Sequence, residues 1–242
     1  MFRYMKFSGI TGWLMAVFTQ RNLSVSGNRN VVKDCRDLKV FKKINIGLDH
    51  AEIYIQKGRS NKITIEAERN ILSHIRSIVN KETLHIRLAP GLKLKPTVKL
   101  RLYIETPSFQ ELLNSSASDV LGAGIFSSEI LQILNTGSGQ ITLSLQTDML
   151  DVRNSGSGRV VLRGETDKMR CTSSGSGQVE AINLKTRKLF VNISGSGNGR
   201  FHCLNAMVGF ISGSGDIYYN GSPKDIQIET TGNGSLIKNQ YC

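Results

Sequence analysis

Residues 131–177 read LQILNTGSGQITLSLQTDMLDVRNSGSGRVVLRGETDKMRCTSSGSG and hold three Gly-Ser-Gly triplets at a spacing of 19 residues. Outward from this stretch the triplet recurs along the C-terminal half. It stands at Gly137-Ser138-Gly139, Gly156-Ser157-Gly158, Gly175-Ser176-Gly177, Gly195-Ser196-Gly197 and Gly213-Ser214-Gly215, with Gly232-Asn233-Gly234 as a sixth copy; the steps are 19, 19, 20, 18 and 19 residues. A degenerate copy, Ser116-Ala117-Ser118-Asp119-Val120, lies 21 residues before the first.

Alignment on the triplets exposes columns that took no part in making it. Four residues after each first glycine stand Val120, Ile141, Val160, Val179, Gly199, Ile217 and Leu236, and two residues further on come Leu143, Leu162, Ala181, Phe201 and Tyr219. Before the triplets, alternate positions read Leu131-Ile133-Asn135, Leu150-Val152-Asn154, Met169-Cys171-Ser173, Leu189-Val191-Ile193, Met207-Gly209-Ile211 and Ile226-Ile228-Thr230. Apolar residues at every second position on both sides of a fixed turn describe two strand segments per repeat, each with one face inward.

A repeat of this length is too short for a propeller blade, which takes about 40 residues, and holds no helical pattern. It matches one coil of a solenoid. At about 3.3 Å per residue the repeat traces a loop of roughly 60 Å and returns about one strand spacing further along the axis. The expected fold is therefore all-β: a single-stranded parallel β-helix (β-solenoid) of about 19 residues per coil, right-handed. Aliphatics would stack inside, with Asn114, Asn135 and Asn154 as an asparagine ladder and the triplets as corners. Glycine suits such a corner through its access to φ > 0 and its lack of a Cβ that would crowd the next coil.

Residues 36–110 lack the triplet but keep the alternation, in Leu38-Val40, Ile44-Ile46, Ile53-Ile55, Ile63-Ile65, Leu84-Ile86-Leu88 and Leu100-Leu102-Ile104. Ile44, Ile63 and Leu84 recur near the same step, so these strands read as earlier, less regular coils continuous with residues 111–242. The competing arrangement is a separate small β domain.

The net charge of +12 over 242 residues is unevenly placed. Residues 1–110 carry 20 Lys/Arg against 8 Asp/Glu, whereas residues 111–242 carry 11 against 11. Lys39, Lys42, Lys43, Lys57, Arg59 and Lys62 are scattered through strand patterns and are not gathered with aromatics into a groove, which argues against nucleic acid. Contact with an acidic envelope, polysaccharide or lipid-headgroup surface fits better.

At the N-terminus, Arg3 and Lys6 precede the apolar stretch Phe7–Phe18, and Ser24 and Ser26 supply small residues for a cut before Gly27. Residues 1–26 therefore read as a secretory signal peptide or leader, too short and glycine-interrupted for a membrane span, with 27–35 as a linker and 36–242 as the solenoid domain. The expected location is exported: periplasm, outer-membrane surface or secreted.

Searches for chemistry return little. Cys35, Cys171, Cys203 and Cys242 have no metal or CxxC spacing, and Cys171 falls in a core column. A calcium-binding β-roll needs an aspartate after each glycine pair, yet the residues there are Gln140, Arg159, Gln178, Asn198, Asp216 and Ser235. No helix follows Gly195-Ser196-Gly197-Asn198-Gly199 to make a phosphate loop. His50, His74, His85 and His202 form no local metal motif. No cofactor is expected. The acids Asp148, Asp151, Glu165, Asp167 and Glu180 fall in neighbouring coils with Arg153, Arg159, Arg163 and Arg170, which keeps a carbohydrate-active enzyme, a polysaccharide lyase or hydrolase, as the alternative.

Three N-terminal segments carry a resemblance. Phe41-Lys42-Lys43-Ile44-Asn45-Ile46, Ile53-Tyr54-Ile55-Gln56-Lys57-Gly58 and Ile65-Glu66-Ala67-Glu68-Arg69-Asn70, followed by the glycine array, resemble the auto-transporter adhesin "head GIN domain" family, found chiefly in Bacteroidota. The match spans about residues 36–240, with Lys57 as a departure between Gln and Gly. The resemblance implies an exported β-helical protein with adhesion as the family-level label, and the residues themselves are read as non-enzymatic. Its partners would be a cell-surface glycan or envelope protein, or further copies of itself stacked end to end through open strand edges.

Overall fold

The computed structural model describes residues 23–239, with strand over 67% of the chain and about seven turns of about 19 residues. Its N-terminal part runs through β1 (Leu23–Ser26), β2 (Val31–Asp37), β3 (Lys43–Gly47), β4 (Ala51–Lys57), β5 (Lys62–Glu68), the one-turn helix α1 (Arg69–Leu72), β6 (Ile75–Asn80), β7 (Thr83–Leu88), β8 (Leu92–Lys95), β9 (Leu100–Thr106) and β10 (Glu111–Asn114). Long bent strands follow: β11 (Asp119–Asn135), β12 (Ile141–Asn154), β13 (Arg159–Ser173), β14 (Gln178–Ile193) and β15 (Gly199–Ile211). The last coil is β16 (Ile217–Asn220), β17 (Asp225–Thr230) and β18 (Leu236–Lys238).

From β11 onward every coil pairs in parallel with the next, and the register joins the residues that the alignment places in one column. Val120 pairs with Ile141, Ile141 with Val160, Val160 with Val179, Val179 with Gly199, Gly199 with Ile217 and Ile217 with Leu236. The 20-residue step is absorbed by a register shift between Val161 and Arg163, so the surplus residue leaves the inward column undisturbed. Inside, Leu131, Leu150, Met169, Leu189 and Met207 form one buried ladder, and Ile133, Val152, Cys171 and Val191 another. Volume is conserved across coils. Phe201, fully buried, stands in register with Ala181 and beside Gly199, whose missing side chain leaves room for the ring.

Apart from β1 and β8, which form a two-stranded sheet of their own, the N-terminal part belongs to the same 16-stranded sheet but is not wound in 19-residue coils. Ile44 does pair in parallel with Leu84, whereas Ile63 lies antiparallel to Ile104, because β9 sits between β4 and β5. Antiparallel pairs also join β2 to β5 and β6 to β7, the latter across the two-residue turn Lys81-Glu82, which reverses the chain where a glycine corner would carry it round. Strand β2 takes most of the stretch expected as a linker, and β1, inside the expected leader, pairs in parallel with β8. Residues 1–22, with Trp13 and the apolar stretch, and Cys242 lie outside the described residues.

The two ends differ. At the N-terminal end Ile71 of α1 is buried in the core, and Leu72, Val25, Leu88 and Leu94 pack against it, so this end is plugged. Glu68 ties the plug together. Its buried carboxylate accepts from the backbone N–H of Arg29 at 2.6 Å and of Thr97 at 2.9 Å, and from the Thr97 hydroxyl at 2.5 Å. At the other end, among the described residues, β17 pairs only with β15 and β18 only with β16.

Candidate functional site

The glycine triplets form one ridge. The N–H groups of Gly139, Gly158, Gly177, Gly197, Gly215 and Gly234 donate to the carbonyls of Ser116, Gly137, Gly156, Gly175, Gly195 and Gly213, each one coil back, at 3.1–3.2 Å. None of these glycines has positive φ; among glycines that conformation occurs at Gly91, Gly124, Gly164 and Gly221. Access to φ > 0 is therefore not why the corner requires glycine. A Cβ on Gly156, Gly175, Gly195, Gly213 or Gly232 would collide with backbone carbonyl of the preceding coil, so the crowding of stacked backbones is the cause.

Beneath the ridge lies the asparagine ladder. Asn114, Asn135 and Asn154 are fully buried, and each Nδ2 donates to the carbonyl four residues on: Ser118 at 3.0 Å, Gly139 at 3.2 Å and Gly158 at 3.1 Å. Asn135 Nδ2 also reaches Asn154 Oδ1 at 3.3 Å. At the opposite corner Thr147, Thr166 and Thr186 form a buried threonine column, Thr147 Oγ1 lying 3.1 Å from Thr166 Oγ1. Their 19- and 20-residue spacing was available in the sequence, without an apolar signal to draw attention to it. The polar residues after the triplets link coils: Asn198 Oδ1 accepts from the Asp216 N–H at 2.8 Å, and Asp216 Oδ1 from the Ser235 N–H at 2.9 Å.

The five acids do not converge. Asp148, Glu165 and Asp167 rim a depression of about 390 Å³ at the threonine corner, where Lys185 lies 3.4 Å from Glu165 and Arg187 3.3 Å from Asp167. Asp151 is on the adjacent face, paired with Arg153 at 3.0 Å. Glu180 is on the other face between Arg159 and Arg200, at 3.3 and 3.7 Å. Of the four arginines expected beside them, Arg153 and Arg159 make such pairs. Among the described residues no three His, Cys, Asp or Glu side chains are grouped to hold a metal. Neither interior thiol is poised as a nucleophile: burial, with Asp151 nearby, pushes Cys171 up to about 12, and burial also raises Cys203.

One face is unlike the rest. Ile130, Met149, Phe190 and Phe210 are 50, 44, 45 and 51% exposed on the outward side of β11, β12, β14 and β15. Phe190 is in register with Arg170 and Val208, and Phe210 with Asn192. Two shallow depressions of about 230 and 340 Å³ meet at Arg170 and Phe190. Strand alternation puts these residues outward because the columns between them fill the core. The inward columns are legible in the sequence and this one is not, since exposed apolar residues interrupt the polar pattern only diagonally, from coil to coil.

The fold, with an outer face carrying aromatic and basic side chains, is that of a parallel β-helical protein. The chain belongs to the family described as "Putative auto-transporter adhesin, head GIN domain", whose model matches residues 40–223. In fold it is similar to a "putative adhesin" from Bacteroides fragilis, with a TM-score of 0.85, 23% identity and coverage of 89% of this chain and 100% of that one. It is similar also to a "putative lipid binding protein" from Parabacteroides distasonis (0.71, 20%, 90% and 100%) and a "putative adhesin" from Parabacteroides merdae (0.71, 17%, 90% and 99%). No curated protein matches the chain.

Proposed function

We propose that the protein is an exported, non-enzymatic binding module of the cell envelope that takes an extended glycan on its aromatic face. The observation that carries this reading is the pair Phe190 and Phe210, roughly half exposed on adjacent coils with Arg170 and Asn192 in register beside them. Exposed aromatic rings on a sheet can stack against sugar rings, and flanking guanidinium and amide groups supply directional hydrogen bonds, with Arg170 favouring acidic sugars. A repeating scaffold suits a repeating polymer. Export is supported by the family and by the basic, apolar N-terminal stretch. The strand β1 at Leu23–Ser26 and the Asn70 amide donating to the Ser26 carbonyl at 2.7 Å favour a cut upstream of Leu23 over one before Gly27.

Titration of the purified protein with acidic and neutral glycans tests the reading. Binding without turnover, lost in Phe190→Ala while the fold is kept, is the expected result. Turnover abolished by Asp148→Asn or Glu165→Gln would instead establish a carbohydrate-active enzyme working at the threonine corner. Cell fractionation with N-terminal sequencing checks export and the cut.

A further inference from the structure

We infer that the plugged N-terminal end of the solenoid docks on an anionic lipid surface, so that the coils project away from it. The elements that close this end carry Arg69 on α1, Arg76 on β6, Lys81 in the following turn, Arg87 on β7, and Lys93 and Lys95 on β8, all exposed. None of the six lies within 4.0 Å of a carboxylate among the described residues, which is true also of Arg29, Lys39, Lys57 and Arg59, whereas Lys33, Arg36, Lys42, Lys43, Lys62, Lys99 and Arg101 are all paired. The acids of the same elements are already engaged: Glu82 pairs with Lys42 and Glu68 is buried under backbone N–H groups.

Arg76 and Arg87 stand directly opposite each other in the antiparallel β6–β7 pair. Like charges so placed destabilise a sheet, and nothing within the described chain relieves them. An external anion would. Next in the row after Arg87 is Gly47, which sets no side chain beside it. By contrast, the C-terminal half is electrically balanced, so the chain's charge excess is concentrated toward one end.

A lipid surface fits this end better than a soluble polyanion because apolar side chains stand among the cations. Ile78, 49% exposed, is two residues from Arg76 on the same side of β6, and Leu23, 58% exposed, pairs with Leu92 beside Lys93. Aliphatic groups between cations are the composition of a surface that enters the headgroup layer while its charges hold phosphates. Leu23 opens β1 at this end, and in the sequence the apolar stretch Phe7–Phe18, with Arg3, Lys6 and Arg21, precedes it.

Co-sedimentation of the full chain with vesicles of phosphatidylcholine alone, or mixed with phosphatidylglycerol, tests the inference. Wild type is expected to bind the anionic vesicles preferentially and to lose that preference in about 0.5 M salt. Replacing Arg76, Arg87, Lys93 and Lys95 by Gln is expected to weaken binding about tenfold or more, while Lys224→Gln with Lys238→Gln at the opposite end leaves it unchanged. The four-site variant removes a like-charge pair and should keep its melting temperature. If it does not fold, Lys93→Gln with Lys95→Gln alone must still weaken binding. The leader is common to every variant, so differences between them report the folded end. Equal binding to neutral vesicles, no effect of the Gln variants, or binding to alginate with no binding to anionic vesicles would each overturn the inference. Phe190→Ala should leave vesicle binding intact, which separates this inference from the glycan reading.

Discussion

The N–H of Gly158 donates to the carbonyl of Gly137 at 3.1 Å, and that same carbonyl occupies the space a Cβ on Gly156 would need. One oxygen thus fixes two glycines of the next coil, one by a hydrogen bond and one by exclusion. The relationship repeats along the ridge, and it changes what substitution there should do.

At Gly177, a Cβ would collide with the carbonyl of Gly158 and lie 2.6 Å from Asn154 Nδ2. Gly177→Ala and Gly177→Asn should therefore destabilise the protein along with Gly177→Val, by more than about 1 kcal/mol each. A left-handed corner would tolerate Asn far better than Ala or Val. Urea titration of the three variants distinguishes the two causes, and unchanged midpoints would remove close stacking as the reason for glycine.

Asn154→Ala leaves the buried Gly158 carbonyl without its side-chain donor and opens a void beneath the ridge, at a cost of about 1–3 kcal/mol. Asn154→Asp should cost more than Ala, because it puts an acceptor or a charge where a donor is needed. Thermal melts at neutral pH rank the pair.

Burial pushes the Glu68 carboxyl up, but the Thr97 hydroxyl and the N–H groups of Arg29, Thr97 and Val98 outweigh it and hold the pKa below the ordinary glutamate range. A carboxylate with a lowered folded-state pKa contributes stability that is complete above its unfolded value and is lost as pH falls through the folded one. Acid should therefore loosen the N-terminal plug first, with hydrogen exchange rising in β1, β8 and α1 below about pH 4.3. Glu68→Gln should flatten that part of the pH profile, and an unchanged profile would show that the plug is held otherwise.

Native labelling with iodoacetamide followed by peptide mapping should modify Cys35, which is exposed, well before Cys171 or Cys203. Both buried thiols should react only after denaturation. Rapid reaction of Cys171 in the native state would mean that its coil opens readily.

Legibility followed the kind of contact. In the regular coils a residue meets the one that stands one repeat away, so Val160 against Val179 can be read by subtraction, and the irregular step merely moves the offset. Asn135 and Asn154 were legible in the same way. Ile63 was not: its spacing from Ile44 matched a coil, yet β9 had intervened beside it and reversed the pairing. Glu68 was beyond reach because its partners, Arg29 and Thr97, lie 39 and 29 residues away in opposite directions with no pattern linking them. The acids misled for a related reason. Asp148 and Asp151 are neighbours in sequence, but the chain turns between them and sends them to different surfaces.

What the amino-acid sequence determined by itself was the winding and its register, because alternation sets which side chains point inward and a constant period stacks like on like. Tertiary structure decided the rest: that the corners need glycine for lack of space, that one end is plugged and basic, and that four apolar side chains share an outer face. These depend on which distant segments meet, and chain path, not local periodicity, controls such meetings.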